Sequence, residues 1–174
     1  MIDFKELWAK GMTFAQFVAV ADERYRGLWE GVYRIASVPD WARLPGTEER
    51  KLLVLAEDWC GDASNIVPAV AKWADANPGL SLRIIRRDEY PAVMDRYLTR
   101  GSRSIPIVIV LDRDFHEIGH WGPRPSELQA WVMANKDTVP NPERYKEVRR
   151  WYAQDRGAST LRELMIAMAI RQAA

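Results

Sequence analysis

The stretch Lys51 to Ala63, KLLVLAEDWCGDA, decides the fold of this chain. Its first half, Leu52-Leu53-Val54-Leu55-Ala56, is an unbroken apolar run, which fits a strand buried on both faces. Its second half, Trp59-Cys60-Gly61, leads into a segment from Ile66 to Ala76 in which Val67, Val70, Ala71 and Trp73 or Ala74 share one helical stripe. Asp62 and Ser64 are the expected caps of that helix, and Asn77-Pro78-Gly79 ends it. The junction carries Cys60, the one cysteine in 174 residues. A single cysteine excludes an internal disulfide and any multi-cysteine metal site, so Cys60 is either a packed small hydrophobe or a reactive thiol.

Downstream, Leu80 to Arg86 alternates as a strand does, Pro91 to Leu98 reads as a short helix closed by Gly101, and Ile105 to Leu111 is a second apolar strand. The turn Asp112-Arg113-Asp114 leads into Phe115 to Trp121, a hairpin partner that makes the sheet mixed. Gly122-Pro123-Arg124-Pro125 breaks the chain, and Ser126 is placed to cap a helix containing Leu128, Trp131 and Val132. Two more helices are predicted after Pro140 and Pro142, the last opening on the capping-box pattern Thr160-Leu161-Arg162-Glu163. Leu164, Met165 and Met168 read as its packing face. Upstream, a short helix near Leu7 and a longer one from Phe14, capped by Thr13, precede a linker from Val38 to Thr47 that holds Pro39 and Pro45.

The bulk numbers restrict the function classes. The 25 basic and 24 acidic residues leave no field of one sign to hold a phosphate backbone or an anionic membrane, so nucleic acid and membrane are not expected partners. Met1 to Gly11 contains Asp3, Lys5, Glu6 and Lys10, which leaves no apolar run for a signal peptide or a span and makes the cytoplasm the default compartment. His116 and His120 fall on one face by alternation, but no third ligand accompanies them, and surface or structural roles are expected rather than a metal site. The length suits one domain over residues 1–174.

Three landmarks occur together: Trp59-Cys60-Gly61 at a strand-to-helix junction, Pro68 eight positions after the cysteine, and Ile105-Pro106 opening the next long strand. With the order of elements around them, they resemble the thioredoxin family over about Lys51 to Lys136. The motifs Asp58 to Ala63, Arg103 to Pro106 and Trp121 to Pro125 are most similar to a bacterial branch of that family. The resemblance implies an α/β fold, a thioredoxin-like three-layer α/β/α sandwich around a mixed sheet, with helical extensions over residues 1–50 and 137–174. It further implies a cis Ile105-Pro106 bond facing Cys60. The catalytic set it implies is Cys60 with Trp59, Gly61, Asp62 and Pro106. Around that set Ile105, Arg103, Trp121, Gly122 and Arg124 would bind substrate, the two arginines taking a ligand carboxylate, Gly122 letting a ligand near the backbone and Trp121 walling the rim. Salt bridges from the arginines to Asp58 or Asp62 are the competing reading.

Two departures from the family pattern bear on activity. Ala63 stands where thioredoxins place a second cysteine, and Val54 where they place a buried carboxylate. A dithiol cycle is therefore closed to this chain. The expected activity is that of a monothiol thiol-disulfide oxidoreductase acting through Cys60 with no bound cofactor, glutathione or another low-molecular-weight thiol serving as co-substrate and a protein disulfide or extended peptide as partner. The rivals are a redox-silent binding module and a cysteine redox sensor. A helix N-terminus lowers a thiol pKa, and so would Arg103 and Arg124, whereas Glu57, Asp58 and Asp62 oppose it; a depressed value is the expectation.

Overall fold

The computed structural model describes residues 2–44 and 48–169. The apolar run forms strand β1 (Arg50–Ala56) at the interior of a four-stranded sheet with β2 (Leu80–Arg86), β3 (Ile107–Leu111) and β4 (Glu117–Trp121), in the order β2-β1-β3-β4. β1 runs parallel to β2 and antiparallel to β3, and β3 runs antiparallel to β4, so the sheet is mixed. The parallel pair needs a crossover, which α4 (Gly61–Asp75) supplies.

Alternation along β1 explains why it carries no polar residue between Leu52 and Ala56. Leu52, Val54 and Ala56 enter one core with Val67, Val70 and Trp73 of α4, whereas Leu53 and Leu55 enter another with Leu7 and Met94. Each face of the sheet is covered by helix. The second core lies under α1 (Phe4–Lys10) and α5 (Pro91–Met94). The first is covered by α4 together with α2 (Phe14–Ala19), α3 (Glu23–Ile35), α6 (Ser126–Asn135), α7 (Asn141–Asp155) and α8 (Ala158–Ala169). Cys60 packs against both cores, at the seam where β1 ends.

Several boundaries differ from the sequence reading, each for a local reason. The helix from Phe14 divides in two because Asp22 caps α3 through its side chain, while its own N–H is held by Asp58 Oδ2 at 3.0 Å. The helix at Pro91 stops at Met94, and Tyr97 turns inward to bury its ring and donate its hydroxyl to Glu117 at 2.9 Å. Gly101 therefore closes a turn, with φ +80, instead of a helix. β4 starts at Glu117 rather than Phe115, since Phe115 has φ +67 and the Asp112 carboxylate accepts the N–H groups of Asp114 and His116. α4 is capped by Cys60, neither by Asp62 nor by Ser64. The linker from Val38 to Leu44 makes a 3-10 turn at Asp40–Ala42 and is tied to α4 by Trp73 Nε1 donating to the Ala42 carbonyl at 2.6 Å; its remaining residues, 45–47, lie outside the described residues.

At the C-terminal side, Thr160 lies within α8 instead of capping it. Glu163 reaches across to α6, accepting the backbone N–H of Ser126 at 2.8 Å and its hydroxyl at 2.6 Å. Ser126 is thus the first residue of α6 and receives this capping instead of giving it. α8 packs directly on β4, where a Cβ on Gly119 would meet the Ala167 carbonyl at 2.8 Å. Among the described residues no helix is long and apolar enough to cross a membrane.

Candidate functional site

Cys60 takes an extended conformation (φ −80, ψ 117) at the N-cap of α4, and its sulfur accepts the Ala63 N–H at 3.5 Å. The same thiol donates to the Ile105 carbonyl at 3.6 Å. The β3 entry therefore lies against the cysteine, and the Ile105–Pro106 peptide is cis. Cys60 is half-buried, Ile105 is buried, and Trp59 beside them is 46% exposed with the Arg87 guanidinium 4.9 Å above its ring. Gly61 is exposed at the first position of the helix.

Asp62 turns away from a capping role into a half-buried polar cluster. Arg124 Nη2 meets its Oδ2 at 2.6 Å, and the Tyr152 hydroxyl of α7 donates to its Oδ1 at 2.7 Å. Arg124 is held from the other side by Gln129 Oε1 at 2.9 Å. The arginine is therefore engaged by Asp62, and a ligand carboxylate would have to displace that partner. Arg103 is likewise engaged, its Nε and Nη2 on the Asp95 carboxylate at 2.7 and 2.9 Å. Its carbonyl accepts Arg87 Nη1 at 3.1 Å.

Trp121 and Gly122 also serve purposes other than those expected. Trp121 is 8% exposed and packs in the core, the competing reading for it, with Nε1 donating to Glu163 Oε2 at 2.6 Å; its remaining edge lines an open surface depression with Gly122 and Arg124. Gly122 has φ +129, and a Cβ there would lie 2.2 Å from the Pro106 carbonyl. The glycine is required because the Pro106 backbone occupies that space, not because a ligand does. The peptide that follows it, Gly122–Pro123, is cis as well.

Burial pushes the Cys60 thiol above its ordinary range, and the Asp62 carboxylate adds to this; the N–H groups of Ala63 and Asp62 and the charge of Arg124 offset only part. The depressed value expected from the helix terminus is thus overturned, because desolvation outweighs the terminal N–H groups. Glu57 and Asp58 share the Arg86 guanidinium, at 2.9 and 3.3 Å, so one cation partly offsets two carboxylates. Burial alone would raise Asp58, but the Asp22 N–H and Arg86 together hold its carboxyl below the usual range. Val54 is fully buried among apolar side chains and offers no base. His116 binds Asp112 at 3.2 Å, and His120 packs edge-on against Tyr97 at 5.0 Å. Among the described residues no group of three His, Cys, Asp or Glu side chains gathers to hold a metal ion.

A family model described as thioredoxin matches residues 11–147, which is more than half of the 174. The chain belongs to the thioredoxin family. Thioredoxin-2 of Pyricularia oryzae is 28% identical over 105 residues, a match that takes in 60% of this chain and 59% of that one, less than two thirds of the relative's length. Two solved structures share the fold across nearly the whole chain. One is a protein of unknown function from Pseudomonas aeruginosa, with TM-score 0.77 and 21% identity over 100% of both chains. The other is an HIV epitope-scaffold, with TM-score 0.75 and 19% identity, covering 96% of this chain and 98% of its own. Within this thioredoxin frame, Tyr152 and Glu163 are the site-supporting residues that sequence reasoning missed. Both lie beyond the matched residues; Tyr152 stands in no motif, and Glu163, read as part of a capping box for its own helix, caps α6 instead.

Proposed function

We propose that this thioredoxin-family protein carries out thiol-disulfide exchange through Cys60 alone. The observation that supports this is the half-buried thiol at the N-cap of α4, in contact with the backbone that opens β3 and beside the exposed Trp59. In the proposed step Cys60 gives its proton to water, and the thiolate attacks one sulfur of a low-molecular-weight or protein disulfide. The Cys60–sulfur bond forms as the old sulfur–sulfur bond breaks, and the departing thiolate takes up a proton. An external thiol such as glutathione then attacks the mixed disulfide, regenerating Cys60 and carrying away the bound half as a new disulfide. Ala63 supplies no internal thiol for that second step, so turnover depends on the external one. The reading places this work in a reducing compartment, the cytoplasm being the default.

A thiol held in its protonated form favours slow exchange, since the thiolate is the nucleophile. The same feature favours a second reading, a binding module in which Trp59 and the Ile105-Pro106 backbone hold an extended partner segment without redox chemistry. Intact mass after incubation with oxidised glutathione separates the two. The expected result is one glutathione on the wild type and none on Cys60→Ser. No adduct with any disulfide tested, together with partner retention that survives Cys60→Ser, would overturn exchange in favour of binding.

A further inference from the structure

Asp62 and Arg124 lie within the residues matched by the family model, but the third member of their cluster, Tyr152, belongs to α7 and lies past residue 147. Its hydroxyl is not placed there by packing alone. The ring is 6% exposed, the hydroxyl donates to Asp62 Oδ1 at 2.7 Å, and burial followed by the Asp62 charge drives its pKa far above the ordinary tyrosine value, so it remains a donor. The two Asp62 oxygens are thereby divided between two donors, Tyr152 on Oδ1 and Arg124 on Oδ2. The carboxylate so held is two residues from Cys60 and interacts with it electrostatically.

We propose that Tyr152 is a positioning residue of the Cys60 site: it fixes the Asp62 carboxylate against Arg124 and draws its charge away from the thiol. The inference rests on Cys60 being the reacting thiol. It makes the C-terminal extension part of the site instead of a decoration on it.

Every charged group packed around the cysteine enters the reasoning. Asp62 on α4 opposes the thiolate, and Arg124, from the loop after β4, favours it. Glu57 and Asp58, before the cysteine, are tied to Arg86 of β2. Tyr152 is near enough to the thiol to interact with it directly if ionised, but it stays protonated and so bears on the thiol through Asp62. A hydrogen bond donated to a carboxylate disperses its charge, so removing the hydroxyl strengthens the field that Asp62 exerts on Cys60. Removing the carboxylate abolishes that field and leaves Tyr152 without its route to the sulfur.

The test uses the full chain labelled with [13Cβ]cysteine, which gives one resonance because the protein has one cysteine. Its chemical shift against pH reports the thiol midpoint without any turnover. The wild-type midpoint is expected above about 8.5, the ordinary cysteine value. Asp62→Asn should lower it by about one unit, the size of effect that a neighbouring charge produces. Tyr152→Phe should raise it by about half a unit in the wild type and leave it unmoved in the Asp62→Asn background. A shift of the same size in both backgrounds, or none in either, would overturn the proposal, since a purely structural tyrosine changes stability without respecting the cycle. If Tyr152→Phe does not fold, Tyr152→Met, smaller but flexible enough to fill an irregular space and equally without a donor, takes its place in the same cycle. Failure of the wild type to take up glutathione would sink the exchange reading while leaving this titration to decide the role of Tyr152.

Discussion

Glu163→Ala removes one carboxylate that accepts three donors, and its cost can be worked from the geometry. The indole N–H of Trp121 sits 2.6 Å from Oε2 in a side chain only 8% exposed, so it would be left buried without a partner, at a cost of about 1–3 kcal/mol. The Ser126 N–H and hydroxyl, at 2.8 and 2.6 Å from Oε1, belong to an exposed residue and can turn to water, so together they add about 1 kcal/mol. The expected loss is therefore about 2–4 kcal/mol, which for a chain of this length lowers Tm by about 5–12 °C. Urea or thermal unfolding followed by circular dichroism measures it. Trp121→Phe supplies the decisive comparison, because it deletes the donor. In that background Glu163→Ala should cost less by about 1–3 kcal/mol. A loss under about 0.5 kcal/mol, or the same loss in both backgrounds, would refute the view that α8 fastens the Trp121–Pro125 segment through this carboxylate.

Gly122→Ala should destabilise the fold by about 3 kcal/mol or more, since the new Cβ would meet the Pro106 carbonyl 2.2 Å away and backbone must shift; a melting temperature near that of the wild type would show that the two loops do not meet as described. Arg86→Met should cost about 3–5 kcal/mol at neutral pH because it strands Glu57 and Asp58, which are 3% and 7% exposed, as unpaired buried carboxylates. The sign with pH follows from Asp58, whose folded carboxyl lies below its unfolded value of about 3.9: its stabilising contribution is complete above that value and is lost as pH falls through the lower folded one. The gap between wild type and Arg86→Met in denaturant midpoint should accordingly narrow as pH falls towards the lowered folded value of Asp58, beginning at the higher value that burial gives this carboxyl once Arg86 is gone, and a gap that stays constant into acid would mean the ion pairs are not its source.

The strand-helix-strand frame was legible in sequence because it is built from local patterns. An apolar run with no polar break fits a strand wet on neither face, and the stripe of Val67, Val70 and Trp73 fits a helix laid across it. The meeting of Cys60 with Ile105 was legible only through likeness to a known family, since no local rule brings residues 45 apart into contact. Boundaries were misread wherever a side chain from elsewhere decided them. Asp58 sets the break at Asp22, Glu163 caps α6, and the cysteine itself caps α4.

What the sequence determined by itself was the absence of any second thiol to resolve a disulfide at Cys60, the position of Cys60 at a strand-to-helix junction, and a near balance of 25 basic and 24 acidic residues. Those follow from residue identity and order alone. What only the tertiary structure decided was the state of the site. Of the two readings open for the arginines, a ligand carboxylate or a salt bridge to Asp58 or Asp62, Arg124 takes the salt bridge to Asp62, whereas Arg103 pairs with Asp95; Trp121 packs in the core; and Tyr152, in no motif, reaches Asp62, two residues from the thiol. The physical reason is desolvation. A helix terminus acts on its own residues and can be read along the chain, whereas the burial that raises the Cys60 thiol comes from its place at the seam of the two cores, against the β3 entry and near Arg124 of the loop after β4.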